Sequence, residues 1–180
     1  IKKNQILKNQ FKDISILITA GPTIEEIDPI RFVSNKSSGK QGFEIASELT
    51  RRGAQVTLIS GPVNIPFPNC KNIIQVKTAK EMLDNVTQQL PTDILICSAA
   101  VADWKLIPKT SSNNKIDTNN KIKKTNKKLF FEAEKNPDIL ETISKSNVRP
   151  KIVIGFSAET TNIDQNAHSK LMSKNIDLIV

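Results

Sequence analysis

The sequence predicts an α/β protein: a Rossmann-like, mostly parallel sheet with helices on both faces. Two observations carry this. Short apolar runs of strand length alternate with segments whose apolar residues recur at helical spacing. Turn chemistry also closes these segments, as at Gly53 and at Gly61-Pro62. The resulting order, β-α-β-β-α-β-loop-α-β-α-β, is that of a parallel sheet whose crossovers are helices.

Residues 14–19 read as a buried strand. Residues 40–52 read as a helix, with Phe43, Ala46 and Leu49 on one face. Strands follow at 55–60, 72–76 and 93–98. Between the last two, Thr78 and Glu81 have capping-box spacing, and Met82, Leu83, Val86 and Leu90 form the apolar stripe of a helix. A short strand is expected at 129–132. Asn136 is a candidate N-cap with Pro137 at the first helical position, and Ile139, Leu140 and Ile143 line that helix. A strand at 151–156, a helix at 164–174 and a last strand at 176–180 complete the pattern.

Hydrophobic residues make up 38% of the 180, enough for one ordinary core. No apolar run reaches membrane-spanning length, and the start has no signal-peptide pattern. Two cysteines make no disulfide framework. The expectation is a cytoplasmic protein without membrane attachment. The single histidine, His168, argues against His-rich metal sites and a Ser-His-Asp triad. The net charge of +8 is concentrated: residues 104–128 hold eight lysines against the single acid Asp117, and residues 1–12 hold four lysines and no acid. The rest of the chain is slightly acidic, which argues against a nucleic-acid footprint; few aromatics are present to stack bases. The basic stretch is either a solvated, mobile segment or a lid over a small polyanion.

Ligands of such sheets bind beyond the carboxyl ends of the strands. About 20 residues follow the first strand and read as a long structureless loop, more often functional than not. It ends in Ser37-Ser38-Gly39-Lys40 at a helix start, where backbone N–H groups suit an anion; an ordinary Ser N-cap is the plain alternative. Neither a Walker loop nor a G-x-G-x-x-G fingerprint is present. After the fourth strand, Ala99-Ala100-Val101-Ala102-Asp103 let a flat ligand approach backbone. Asp103 is there either for hydrogen bonds and magnesium or as a cap. Lys170 and Lys174 form a like-charge i, i+4 pair, explained by an anion between them or by a solvated face.

The motifs in order are more specific than any alone. Thr19-Ala20-Gly21-Pro22-Thr23, Asp28-Pro29-Ile30-Arg31, Ser34-Asn35 and Ser37-Ser38-Gly39-Lys40 come first. Ala99-Ala100-Val101-Ala102-Asp103, Lys121-Ile122-Lys123-Lys124, Asn136-Pro137-Asp138-Ile139, Gly155-Phe156-Ser157-Ala158-Glu159-Thr160 and Lys174-Asn175-Ile176-Asp177 follow. Together, from about residue 14 to Val180, they resemble the phosphopantothenoylcysteine synthetases. The resemblance divides the chain into a linker or N-terminal extension at 1–13 and a synthetase domain at 14–180 with a basic mobile loop at 104–128. Gln41 stands where Met is common, and the stretch between Asp103 and Lys121 is long and Asn-rich. The start at Ile1, without Met, reads as a piece of a longer protein, and the family continues past Val180. In many bacteria this ligase is half of a bifunctional protein whose other half is an FMN-dependent decarboxylase; FMN is expected only with that half.

The resemblance implies a ligase that joins 4'-phosphopantothenate to L-cysteine. CTP is the co-substrate, Mg2+ the cofactor, an acyl-cytidylate the intermediate, and pyrophosphate and CMP the by-products. It implies catalytic roles for Asn35, Lys121 and Arg31: Asn35 on the acyl-nucleotide, Lys121 closing over the site and Arg31 on the pantothenate side. Nucleotide contacts are implied for Ser37, Ser38, Gly39, Lys40, Ala99, Asp103, Lys121, Asn136, Pro137, Asp138, Ile139, Phe156, Lys170 and Lys174; no metal ligands are assigned. It further implies a homodimer, with a higher assembly open for the full-length protein. The alternatives are a nucleotide-binding module without ligase activity and a nucleic-acid binder using the lysine loop.

Overall fold

A computed structural model describes residues 9–126 and 128–180. In chain order its first half contains β1 (Ser15–Ala20), β2 (Ile24–Glu26), β3 (Phe32–Ser34), α1 (Lys40–Arg51), β4 (Gln55–Ser60), β5 (Asn72–Gln75) and α2 (Ala79–Gln88). The second half contains β6 (Ile94–Cys97), β7 (Trp104–Lys109), β8 (Phe130–Lys135), α3 (Ile139–Ser144), β9 (Ile152–Gly155), α4 (Ile163–Ser173) and β10 (Leu178–Ile179). Six strands form one sheet in the order β10-β9-β6-β1-β4-β5, and every pairing in it is parallel. The fold class expected from the sequence is therefore the one observed.

The central strand explains the layers. Side chains alternate along β1, so Ile16, Ile18 and Ala20 meet Phe43 and Ala46 of α1, while Leu17 faces the opposite cluster. That second cluster holds Met82 and Val86 of α2 with Ile139, Leu140 and Ile143 of α3. Each such buried side chain contributes about 1.5–3 kcal/mol of transfer free energy. Helix α2 starts as its sequence demands: Thr78 accepts from Glu81 N at 3.1 Å, and the Glu81 carboxylate answers to the Thr78 backbone. Helix α4 has no fully buried residue and holds to the core through half-buried Leu171.

Five expectations need correction. The stretch after β1 is not structureless, because β2 and β3 pair as an antiparallel hairpin. The basic stretch is not a loop throughout: Trp104–Lys109 pairs antiparallel with Phe130–Lys135 as a two-stranded ribbon. Its second strand is longer than the expected 129–132. Pro108 sits in β7 with no N–H to donate, and its carbonyl accepts from Ile116 N at 3.1 Å. Asn136 is not the cap of α3; Asp138 is, accepting from Glu141 N at 2.8 Å. Asp103 caps no helix either, since β7 begins at the next residue.

Of the expected linker, residues 1–8 lie outside the described residues. Its remaining part is tied down: Phe11 packs on the α1-side core, and its N–H donates to Arg52 O at 3.0 Å. Lys127, within the expected basic loop, also lies outside the described residues. Among the described residues no helix is long and apolar enough to cross a membrane.

The start of the hairpin is set by a close backbone approach. Gly61 follows β4, and a Cβ there would stand 1.7 Å from the Pro22 carbonyl oxygen. Backbone cannot yield as a side-chain end can. Gly61→Ala is expected to cost about 2–3 kcal/mol and lower the melting temperature by roughly 5–10 °C. Thermal denaturation followed by circular dichroism checks this; a parental melting temperature would mean that the Pro22 loop moves freely.

Candidate active site

A cleft of about 970 Å³ opens beyond the carboxyl ends of β1, β6 and β9. It lies beside the strand order's turning point, since the chain adds β4 on one side of β1 and β6 on the other. Three loops wall it. The loop after β1 contributes Asn35, Lys36 and Ser37; that after β6 contributes residues 98–103; that after β9 contributes Phe156 to Glu159. Asn136 to Glu141 and the side chains of Lys170 and Lys174 complete it.

The first two loops are stitched together by backbone-directed hydrogen bonds. Thr23, fully buried, accepts from Ala102 N at 2.8 Å through Oγ1. Ala100 N donates to Gly21 O at 2.9 Å. The Asn35 side-chain amide donates to Val101 O at 2.9 Å, with Ala100 O a longer contact at 3.4 Å. From the other wall, the Asn136 amide donates to Ala102 O at 2.8 Å. The small residues at 100–102 thus have their carbonyls engaged from two sides. The hairpin is pinned from behind by Glu25, a buried carboxylate that accepts from Ala79 N at the start of α2 at 2.9 Å. Nothing in the sequence pattern marked Glu25; only the meeting of the hairpin with α2 gives it a partner.

The helix start at Gly39 differs from the expectation. Gly39 itself is the N-cap, at φ 74°, with no side-chain cap. A Cβ there would lie 2.7 Å from Val63 Cγ1, so this left-handed turn is open only to glycine. Ser37 and Ser38 turn back on the next residues but one, accepting from Gly39 N at 3.3 Å and Lys40 N at 3.4 Å. Ser37 lines the cleft; Ser38, Gly39 and Lys40 do not.

The two α4 lysines are not a solvated pair. Both are half-buried and reach into the cleft, but they are held differently. Lys174 lies 2.8 Å from Asp138 and 2.5 Å from Glu141, and its ammonium pKa is raised by Asp138 first and Glu141 second. Lys145 and Lys174 together hold Glu141 down at about 2. Lys170 instead donates to the Phe156 carbonyl at 2.8 Å, and among the described residues no carboxylate lies within ion-pair distance of it. Its ammonium is therefore oriented by a neutral group. Glu159 is steadied by Ser157 at 2.9 Å and Asn166 at 3.0 Å. Burial pushes the Cys97 thiol up to about 12, so it supplies no thiolate at neutral pH.

Of the residues expected to act, the structure brings Asn35, Ser37, Ala99, Asp103, Asn136, Pro137, Asp138, Ile139, Phe156, Lys170 and Lys174 to one cleft. It does not bring Arg31 or Lys121 there. Arg31 sits on the turn between β2 and β3, paired with Asp28. Among the described residues no group of three or more His, Cys, Asp or Glu forms a metal cage. Asp103 offers an exposed carboxylate at the cleft, which fits an ion such as magnesium that keeps its waters and takes most other ligands from phosphates.

The DNA/pantothenate metabolism flavoprotein C-terminal domain family matches residues 11–180. The chain is 46% identical over 175 residues to the coenzyme A biosynthesis bifunctional protein CoaBC of Borreliella burgdorferi, covering 96% of this chain and 43% of that protein. To the protein of the same name from Escherichia coli it is 42% identical over 172 residues, covering 95% and 41%. The chain thus spans less than half the length of these curated relatives. In structure it is similar to the crystallised C-terminal domain of a CoaBC protein, with a TM-score of 0.78 and 38% identity over 96% of this chain and 78% of that one.

The Lys174 cluster makes a prediction. Glu141 has a depressed pKa, so its contribution to stability is fully present above the ordinary 4.5 and is lost as pH falls through about 2. In Lys174→Ala the Glu141 pKa should rise while staying below 4.5, because Lys145 remains. The acid limb of the stability curve should move to higher pH accordingly. At neutral pH the loss should be small, because the pair is screened by solvent. Carboxyl NMR titration of Glu141 with denaturation at several pH values checks both parts.

Proposed function

Because the chain belongs to the DNA/pantothenate metabolism flavoprotein C-terminal domain family, we propose that it is the ligase that joins 4'-phosphopantothenate to L-cysteine, using CTP. The relatives' names place them in coenzyme A biosynthesis, and the cleft supports this particular step. The observation that carries the reading is the oriented Lys170 ammonium, which shares one cleft with the Asn35 amide and the Asp103 carboxylate.

The reaction has two halves. A pantothenate carboxylate oxygen attacks the α-phosphorus of CTP; the P–O bond to the β-phosphate breaks, giving an acyl-cytidylate and pyrophosphate. The cysteine amine then attacks the acyl carbon, and CMP leaves with the C–O bond pair while the amine loses a proton. The first half brings an anion onto a polyanion, so placed positive charge matters more than a strong base. Lys170 is assigned to the phosphates, with Ser37 beside them at the helix start. Asp103 is the residue that would hold magnesium, which would supply Lewis-acid neutralisation of the phosphates when bound. Phe156 and Asn136 to Ile139 are assigned to the nucleoside, close to the carbonyls of residues 99–102. Asn35 is assigned to the acyl-nucleotide: its amide already donates to the Val101 carbonyl, and its second N–H can donate to the acyl group. No step calls on a flavin. The active form is assigned as a homodimer, a reading supported by Trp104, Phe130 and Phe131 lying exposed on the β7–β8 ribbon.

Initial rates of pyrophosphate release with each nucleoside triphosphate, phosphopantothenate and cysteine test the reading. CTP should be fastest, and release should require phosphopantothenate. Binding of CTP with no release under any combination would leave a nucleotide-binding module instead. Asn35→Asp places a carboxylate against the Val101 carbonyl and a developing anion. Product formation is expected to fall by about a hundredfold or more while CTP affinity changes far less. Product formation within threefold of the parent would remove Asn35 from the chemistry.

A further inference from the structure

Among the described residues, the basic segment meets the turn between β2 and β3 at the Ile122 peptide, and the residues that hold it lie 91 and 94 positions away. Asp28 and Arg31 occupy the turn between β2 and β3. Asp28 Oδ1 accepts from Ile30 N at 2.8 Å and Arg31 N at 2.9 Å, which builds the turn itself. Its other oxygen, Oδ2, accepts from the Arg31 guanidinium at 2.5 Å and from Ile122 N at 3.1 Å. The same guanidinium nitrogen donates to Ile122 O at 3.2 Å. Both backbone groups of Ile122 are therefore taken, the N–H by the anion and the carbonyl by the cation of one ion pair. The Asp28 side chain has no exposed surface, whereas that of Arg31 is 46% exposed. Lys121, Lys123 and Lys124 flank the held residue and are all exposed.

We infer that the Asp28–Arg31 pair is a positioning clamp that grips the backbone of Ile122 and so sets where Lys121, Lys123 and Lys124 stand relative to the cleft. The inference rests on the ligase reading for its purpose, since a triphosphate is what three placed ammonium groups would serve. Its geometry stands without that reading. Three features argue for a clamp over an incidental contact. The contact is made by backbone, so it specifies position and not the identity of the side chain at 122. Burial raises the Asp28 pKa, but donation from Ile30, Ile122 and Arg31 outweighs it and holds the carboxylate at about 2, so the anion is present throughout the neutral range. The turn is also rigidly coupled to the cleft, because the far end of the same hairpin carries Ser34, bonded to Thr23 O at 2.7 Å, and then Asn35 on the Val101 carbonyl. Arg31, for which the resemblance implies a role on the pantothenate side, thereby gains a positioning role through the lysine segment.

Two variants test the clamp from its two sides. Asp28→Asn removes the anion; Ile122→Pro removes the N–H it receives while leaving Asp28 in place. Hydrogen exchange at the Ile122 amide should quicken by at least about tenfold in Asp28→Asn, the factor expected from losing a hydrogen bond to a charged acceptor. The amides of β1 and β6 should keep their parental exchange. Tryptic cleavage after Lys123 and Lys124 should accelerate in both variants, and the double variant should be cleaved there no faster than the faster single one. In the ligase assay both should lose turnover by about tenfold with the CTP KM within about threefold, the pattern of a group positioned late. Unchanged Ile122 exchange in Asp28→Asn, or cleavage in the double variant at the product of the two single effects, would overturn the clamp. Exchange and proteolysis need no substrate, so a parent protein that makes no product would refute the ligase reading and leave the clamp to be judged on those two measurements.

Discussion

The structure depends on one constraint: β1 is hydrogen-bonded on both of its edges, to β4 through the whole of its length and to β6 along four residues. A strand so enclosed must be apolar on both faces, and all its side chains from Ile16 to Ala20 are buried. Because both pairings are parallel, the chain leaves β1 and β6 at the same end, side by side. The two outgoing loops then have to satisfy each other's backbone groups. Thr23, Asn35 and Asn136 do this for residues 100–102, and Glu25 closes the arrangement against α2. The cleft is what remains between those loops and the one after β9.

The polar groups around this cleft divide by how completely they are engaged. Asp138 and Glu141 are occupied with Lys174, Glu159 with Ser157 and Asn166, and Cys97 is silenced by burial. Lys170 is oriented by a carbonyl, Asn35 keeps donor capacity, and Asp103 is exposed. A site with these groups available is suited to placing charge around phosphates more than to abstracting protons with a tuned base. Its positive field is modest locally, which gives physical meaning to a separate lysine segment whose position is governed from the hairpin turn.

The sequence alone determined the layered α/β class, the positions of the strands of the six-stranded sheet to within about two residues at each end, and the capped start of α2. These follow from periodicity and local hydrogen bonding, which act within a few residues. It also placed most of the cleft residues on loops that follow strands, since parallel pairing puts those loops at one end. Tertiary structure alone decided the rest. The hairpin at 24–34 and the pairing of 104–109 with 130–135 are held by partners that a local pattern does not contain. Asn136 had the chemistry of a cap, yet Ala102 claimed its amide and left the cap to Asp138. Lys170 and Lys174 were alike by spacing and became different through a carbonyl and two carboxylates contributed from elsewhere in the chain. The second oxygen of Asp28 found Ile122 only because folding brought positions 94 residues apart together. Local free energies choose elements, but the partners of a buried charge are chosen by whatever the fold packs against it.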